Sequence, residues 1–97
     1  MPLSGSMYKN RIEFAGDVFY TEERDGKVKI HIKAVGGYEI RIQAEFRGSL
    51  LDRARKIKVG DNIFVEGSLA IDEKIVPGGN KTYKTKILGK ELEVIKV

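Results

Sequence analysis

Cysteine is absent from the 97 residues, and histidine occurs once. Without cysteine there is no disulfide framework, no thiolate metal site and no thiol nucleophile, a composition that suits a reducing cytoplasm. A single histidine nearly excludes hydrolytic triads. As a metal ligand His31 finds no partners in the sequence, and it falls among lysines on a polar strand face, the setting of a surface residue. The glycine pairs Gly36-Gly37 and Gly78-Gly79 do not lead into a helix with the lysine and hydroxyl spacing of a phosphate-binding loop. The acids fall mostly on polar strand faces or in turns, so neither an enzyme nor a bound cofactor is expected. No apolar run approaches the length of a membrane span and no signal-peptide pattern opens the chain, so the expectation is a cytoplasmic protein without membrane contact.

Hydrophobic residues make up 41% of the chain and charged residues 33%, the balance of a globular domain with a heavily charged surface. A chain of this length makes one domain and buries well over half of its unfolded surface. Residues 1–6, which precede Met7, read as a cloning remnant, leaving residues 7–97 as the domain. The net charge is +4 and the pI about 9.4, which points to an anionic partner. From Lys74 to Lys90 there are five lysines and no acid, around Pro77-Gly78-Gly79-Asn80. That stretch is either a solvated hairpin or a basic loop that reaches for phosphates.

Alternation of period two dominates the chain. Ile12, Phe14, Gly16 and Val18 mark a first strand, with Gly16 at a bend that helps a barrel to close. Val28, Ile30, Ile32 and Ala34 mark a second, and Tyr38, Ile40, Ile42, Ala44 and Phe46 a third. Ile63, Val65, Gly67, Leu69 and Ile71 mark a fourth; the fifth runs from Thr82 to about Ile95, with a bulge at Gly89. Facing residues share a side of the sheet, which favours a loop of Val35 to Gly37 that pairs Ala34 with Tyr38 and Ile32 with Ile40. Lys33 then faces Glu39, His31 faces Arg41 and Lys27 faces Glu45. Ser49-Leu50-Leu51-Asp52 has the form of a capping box, and Leu50, Ala54 and Ile57 fall at helical spacing before Gly60. Its basic residues, Arg53, Arg55, Lys56 and Lys58, suit a solvated face. The resulting class is all-β: an OB-fold, a five-stranded Greek-key barrel, all antiparallel, with one short helix between strands three and four.

Asn10-Arg-Ile-Glu-Phe-Ala-Gly-Asp-Val18 and Val59-Gly-Asp-Asn-Ile-Phe-Val-Glu-Gly-Ser-Leu69 are similar to the first and fourth strands of the bacterial single-stranded-DNA-binding protein family, including its primosomal replication protein N branch. Tyr83-x-Thr85-x-Ile87, Glu91-Leu-Glu-Val-Ile95 and Phe46-Arg-Gly48 resemble further landmarks of that family in the same order. The resemblance implies sequence-tolerant binding of single-stranded DNA along the outer face of strands two and three. It also implies a homo-oligomer, with a dimer favoured over a tetramer, and replication proteins as partners. The chain differs from the family in lacking tryptophan, in its very short loop between strands two and three, and in ending Ile95-Lys-Val97 with no acidic tail. A primosomal-type protein, a viral or accessory relative, and the N-terminal domain of a longer protein all fit that ending.

Single-strand binding without sequence readout needs cations along the phosphates and flat side chains beneath the bases. Lys29, Lys33 and Arg41 supply cations on the outer face, and Lys81, Lys84 and Lys86 are expected to make the strongest phosphate contacts. The stacking candidates are Tyr20, Tyr38, Phe46 and Phe64. Phe46 belongs to the core by parity, unless a bulge near Arg47-Gly48, as its family counterpart suggests, turns it outward. Phe64 faces outward, to stack a base or to bury itself between subunits. Phe19-Tyr20 and Tyr38 fall at strand ends or loops, where an aromatic stacks or caps the barrel, and Tyr83 falls in the core by parity. A protein-interaction or adaptor module and a single-stranded RNA binder are the alternatives on the same fold.

Overall fold

The computed structural model describes residues 10–95; the remnant expected at residues 1–6, the start at Met7 and residues 96–97 lie outside them. Five strands run β1 (Ile12–Arg24), β2 (Lys27–Gly36), β3 (Tyr38–Phe46), β4 (Asn62–Ile75) and β5 (Lys81–Val94). A 3-10 turn (Gly48–Leu50) and the short helix α1 (Leu51–Arg55) lie between β3 and β4. The sheet order β1-β2-β3-β5-β4 closes on itself, giving the OB barrel. β1 is long enough to serve both neighbours, pairing its first half with β4 and its second with β2. The two pairings meet at Asp17, and at the neighbouring Gly16 a Cβ would sit 2.3 Å from the carbonyl oxygen of Lys33. No larger residue lets the two strands approach that closely.

The core collects the inward side chains, among them Val28, Ile30, Ile32, Ala44, Ile63, Val65, Ile87 and Leu92. Each large aliphatic side chain buried this way contributes about 1.5–3 kcal/mol. Phe46 is fully buried as well, so it has no face to offer a base. Gly89 fixes that orientation: a Cβ there would lie 2.1 Å from the Phe46 ring. The expected irregularity is present beside it, because the β4 ladder passes from Glu91 to Gly89 and leaves Lys90 without a partner. Ala54 and Ile57 are buried, and Leu50 and Leu51 pack on the same cluster, so the helical segment closes one end of the barrel. The capping box does not form: the 3-10 turn starts at Gly48, which places Ser49 inside it, and neither helical start has a side-chain cap.

Two pairings differ from the expected ones. In the β2–β3 hairpin Gly36 faces Tyr38, so Ala34 meets Ile40 and Ile32 meets Ile42, two residues away from the expected register. A shift of two keeps every side chain on its expected face, so parity could not detect it. The observed register pairs all of Tyr38–Phe46 with β2, ending at Val28 opposite Phe46. The expected one would have set Phe46 against Gly26, in the β1–β2 turn. The strands are also not all antiparallel. β3 and β5 run parallel where Gln43, Ala44 and Glu45 meet Lys86, Ile87 and Leu88, since the connection through α1 and β4 returns the chain in the β3 direction.

Beyond the barrel, β4 and β5 continue as a two-stranded ribbon. Ile71 to Ile75 and Lys81 to Thr85 are exposed on both faces. Tyr83, expected in the core, is therefore 66% exposed: its parity is inward, but no barrel wall stands opposite it.

Candidate nucleic-acid interface

The outer face of the sheet acquires its aromatics from a break in β1. Val18 faces Ile32 and Tyr20 faces His31, which leaves Phe19 without a partner on β2. A β-bulge of this kind turns two successive side chains to the same side. Phe19 and Tyr20 both lie edge-on to His31, with ring centroids 5.9 Å and 5.1 Å away. The Arg41 guanidinium sits over the Phe19 ring at 5.3 Å, a cation–π contact. Burial lowers the His31 pKa, and the charges of Lys84 and Lys29 lower it further against the opposing pull of Glu22. The imidazole is thus neutral at pH 7 and acts as a third flat ring.

Around these rings the cations divide into free and tied. Lys29 and Lys33 on β2 are half-buried, Lys84 on β5 is exposed, and none of the three has an ion-pair partner among the described residues. Arg41 pairs with Glu39 at 2.7 Å and Lys81 with Glu73 at 2.9 Å. Both pairs are solvent-exposed and contribute little, so a phosphate can displace the acid. Lys86 differs. Its side chain is 13% exposed, and its ammonium lies 3.3 Å from Glu45 and 3.0 Å from Asp72. Glu45 is itself buried and also takes a bond of 2.5 Å from Arg47. Burial pushes the Glu45 carboxyl up, but the bonds from Arg47 and Lys86 outweigh it and hold the group below its ordinary 4.5. Lys86 thus ties β5 to Glu45 on β3 and Asp72 on β4.

The remaining expected residues scatter. Tyr20 is half-exposed in the ring cluster, and Tyr38 stands 81% exposed at the tip of the β2–β3 hairpin. Phe64 lies on β4 between Ala15 and Glu93, apart from the cluster. The structure thus gathers Lys29, Lys33, Arg41, Lys84 and Tyr20, and leaves Phe46, Phe64 and Lys86 elsewhere or occupied. Sequence reasoning assigned His31 to bare surface and left Phe19 to a strand end. The signal was Val18-Phe19-Tyr20, where large residues at three successive positions break strict alternation.

β3 and β5 pair only at Gln43–Glu45 and splay apart before it. A cleft of about 570 Å³ opens there, lined by Phe19, His31, Arg41, Gln43, Tyr83 and Lys84 among others. A second groove of about 420 Å³ adjoins it, with Lys29, Gln43, Lys74 and Lys84 in its walls. Among the described residues no three His, Cys, Asp or Glu side chains gather as a metal site, and no helix is long and apolar enough to cross a membrane.

The closed five-stranded barrel with its short helix between β3 and β4 defines the class, an OB-fold. No protein-family model matches the chain, and no curated protein sequence matches it. Solved structures do. The single-stranded-DNA-binding protein of Plasmodium falciparum, solved in complex with single-stranded DNA, superposes with a TM-score of 0.78 at 13% identity, over 95% of this chain and 99% of its own. The mitochondrial single-stranded-DNA-binding protein Rim1 of S. cerevisiae gives 0.73 at 15% identity, over 93% of this chain and 98% of its own. The small single-stranded-DNA-binding protein of Streptomyces coelicolor gives 0.69 at 14%, over 92% and 96%. At these identities the likeness is one of fold.

Proposed function

We propose that this chain binds single-stranded DNA, without choosing a sequence, in replication, restart or repair. The observation that carries the reading is the outer face itself. Three rings, Phe19, Tyr20 and His31, are clustered by the β1 bulge beside the unpaired Lys29, Lys33 and Lys84. Rings for base faces and cations for phosphates are the two parts that sequence-tolerant single-strand binding requires. The fold supports the same reading, because the neighbours named above are single-stranded-DNA-binding proteins. A role like that of primosomal replication protein N belongs to this proposal.

Self-association, as a dimer, is the second part of the reading. Ile71, Ile75 and Tyr83 on the ribbon are 64%, 70% and 66% exposed, more apolar surface than two bare strands ordinarily leave in water. Light scattering on the purified protein is expected to give twice the chain mass, and a monomer at all concentrations rejects that part.

The binding reading is tested by fluorescence anisotropy of labelled poly-dT at low and moderate salt, with duplex DNA and matched RNA as competitors. Salt-sensitive binding that RNA and duplex displace poorly is the expected result. Equal displacement by RNA favours an RNA ligand, and absence of binding at low salt leaves the adaptor reading.

A further inference from the structure

Gln43, the one glutamine of the chain, is 6% exposed, yet its amide has no hydrogen-bond partner among the described residues. An amide left unsatisfied in a sealed interior is costly. This one is not sealed in: among the described residues no fully enclosed polar side-chain atom lacks a partner, and Gln43 forms part of the wall of both outer grooves. It lies where β3 and β5 begin to splay, opposite His31 on one side and Lys86 on the other. The amide is thus held at the floor of the cleft, with the rings on one flank and Arg41 and Lys84 at the rim.

We infer that Gln43 is the floor of a subsite for one nucleobase, whose edge it hydrogen-bonds while the ring packs against Phe19 and His31. The inference rests on the single-strand binding proposed above and adds a contact to it. A primary amide offers a donor and an acceptor side by side. Every natural base carries a donor next to an acceptor on one edge: N6–H and N1 or N7 in adenine, N4–H and N3 in cytosine, N3–H and O4 in thymine, N1–H and O6 in guanine. Rotation of the amide by half a turn exchanges its two ends, so it can meet either order. The subsite demands a hydrogen-bonding base without choosing among the four, which is compatible with sequence tolerance.

The test compares oligo-dT with an oligonucleotide of the same length built from 2,4-difluorotoluene deoxynucleotides, which keep the shape of thymine and lose its hydrogen bonds. Wild-type protein is expected to bind oligo-dT about three- to tenfold more tightly, the range of one net hydrogen bond. Gln43→Leu is expected to remove that difference, whereas Phe19→Leu weakens both ligands together. Equal wild-type affinities for the two oligonucleotides would overturn the inference while leaving single-strand binding in place. Failure of oligo-dT itself to bind would overturn both. The wild-type comparison does not depend on how well either variant folds.

Discussion

Lys84 and Lys86 stand two residues apart on the same face of β5, and the fold puts them to opposite uses. At Lys86 the strand is still inside the barrel, paired with Gln43 on β3 and Ala70 on β4, and its ammonium is held by Glu45 and Asp72. At Lys84 the strand has entered the ribbon, β3 no longer pairs with it, and among the described residues no acid bonds the side chain. Phe46 and Phe19 repeat the contrast among the aromatics. One is sealed over Gly89; the other is turned out by a bulge to meet His31 and Arg41. Chemical type does not separate scaffold from site in this molecule. The point at which two strands part, or one strand gains a residue, does.

Substitutions can break that contrast, and the largest effect belongs to the scaffold. Phe46→Ala is expected to cost about 3–5 kcal/mol of stability, read by urea unfolding, because the cavity over Gly89 cannot collapse. Phe19→Ala is expected to spare much of that stability. It should weaken poly-dT binding by about 1–3 kcal/mol, the range of a single base stack, read by anisotropy. Lys86→Ala is expected to lower stability by roughly 1–3 kcal/mol, since Glu45 keeps only Arg47, with little change in the salt dependence of binding. Lys84→Ala should do the reverse, leaving the melting temperature in place and making the slope of log affinity against log salt shallower by about 0.7.

The smallest expected effect is the pH response. Glu45 titrates below its ordinary 4.5 in the fold, so its contribution to stability is present above that pH and is lost as pH falls through the lowered value. His31 also titrates below its ordinary 6.5, so the unfolded chain takes up that proton first. Stability should therefore decline slightly as pH falls below 6.5, and His31→Phe should remove that part of the decline. Thermal melts between neutral and acid pH measure both limbs.

Much of the barrel was legible because alternation reports which side a residue faces. The five strands follow from it, whereas the intervening helix showed in the helical spacing of Leu50, Ala54 and Ile57 and the irregularity in a glycine inside a strand. What alternation cannot report is anything that preserves or suspends parity. The hairpin register slipped by two residues with every face unchanged, and the bulge at Phe19 put two neighbours on one face. Tyr83 kept inward parity on a ribbon with no interior. The cations of the candidate face could be named from the sequence, but sorting Lys84 from Lys86 needed the parallel β3–β5 pair, a contact between segments about forty residues apart. Gln43 gave no signal at all, because an isolated glutamine on a polar strand face is ordinary until its missing partner is seen.

The most direct measurement is a series of poly-dT titrations across salt with the wild type and a Lys29/Lys33/Lys84→Ala variant. Removing three phosphate-binding cations should make the slope of log affinity against log salt shallower by about 2, with the melting temperature little changed. A variant that binds with the wild-type affinity and slope would contradict the assignment of the outer face as the single-strand site.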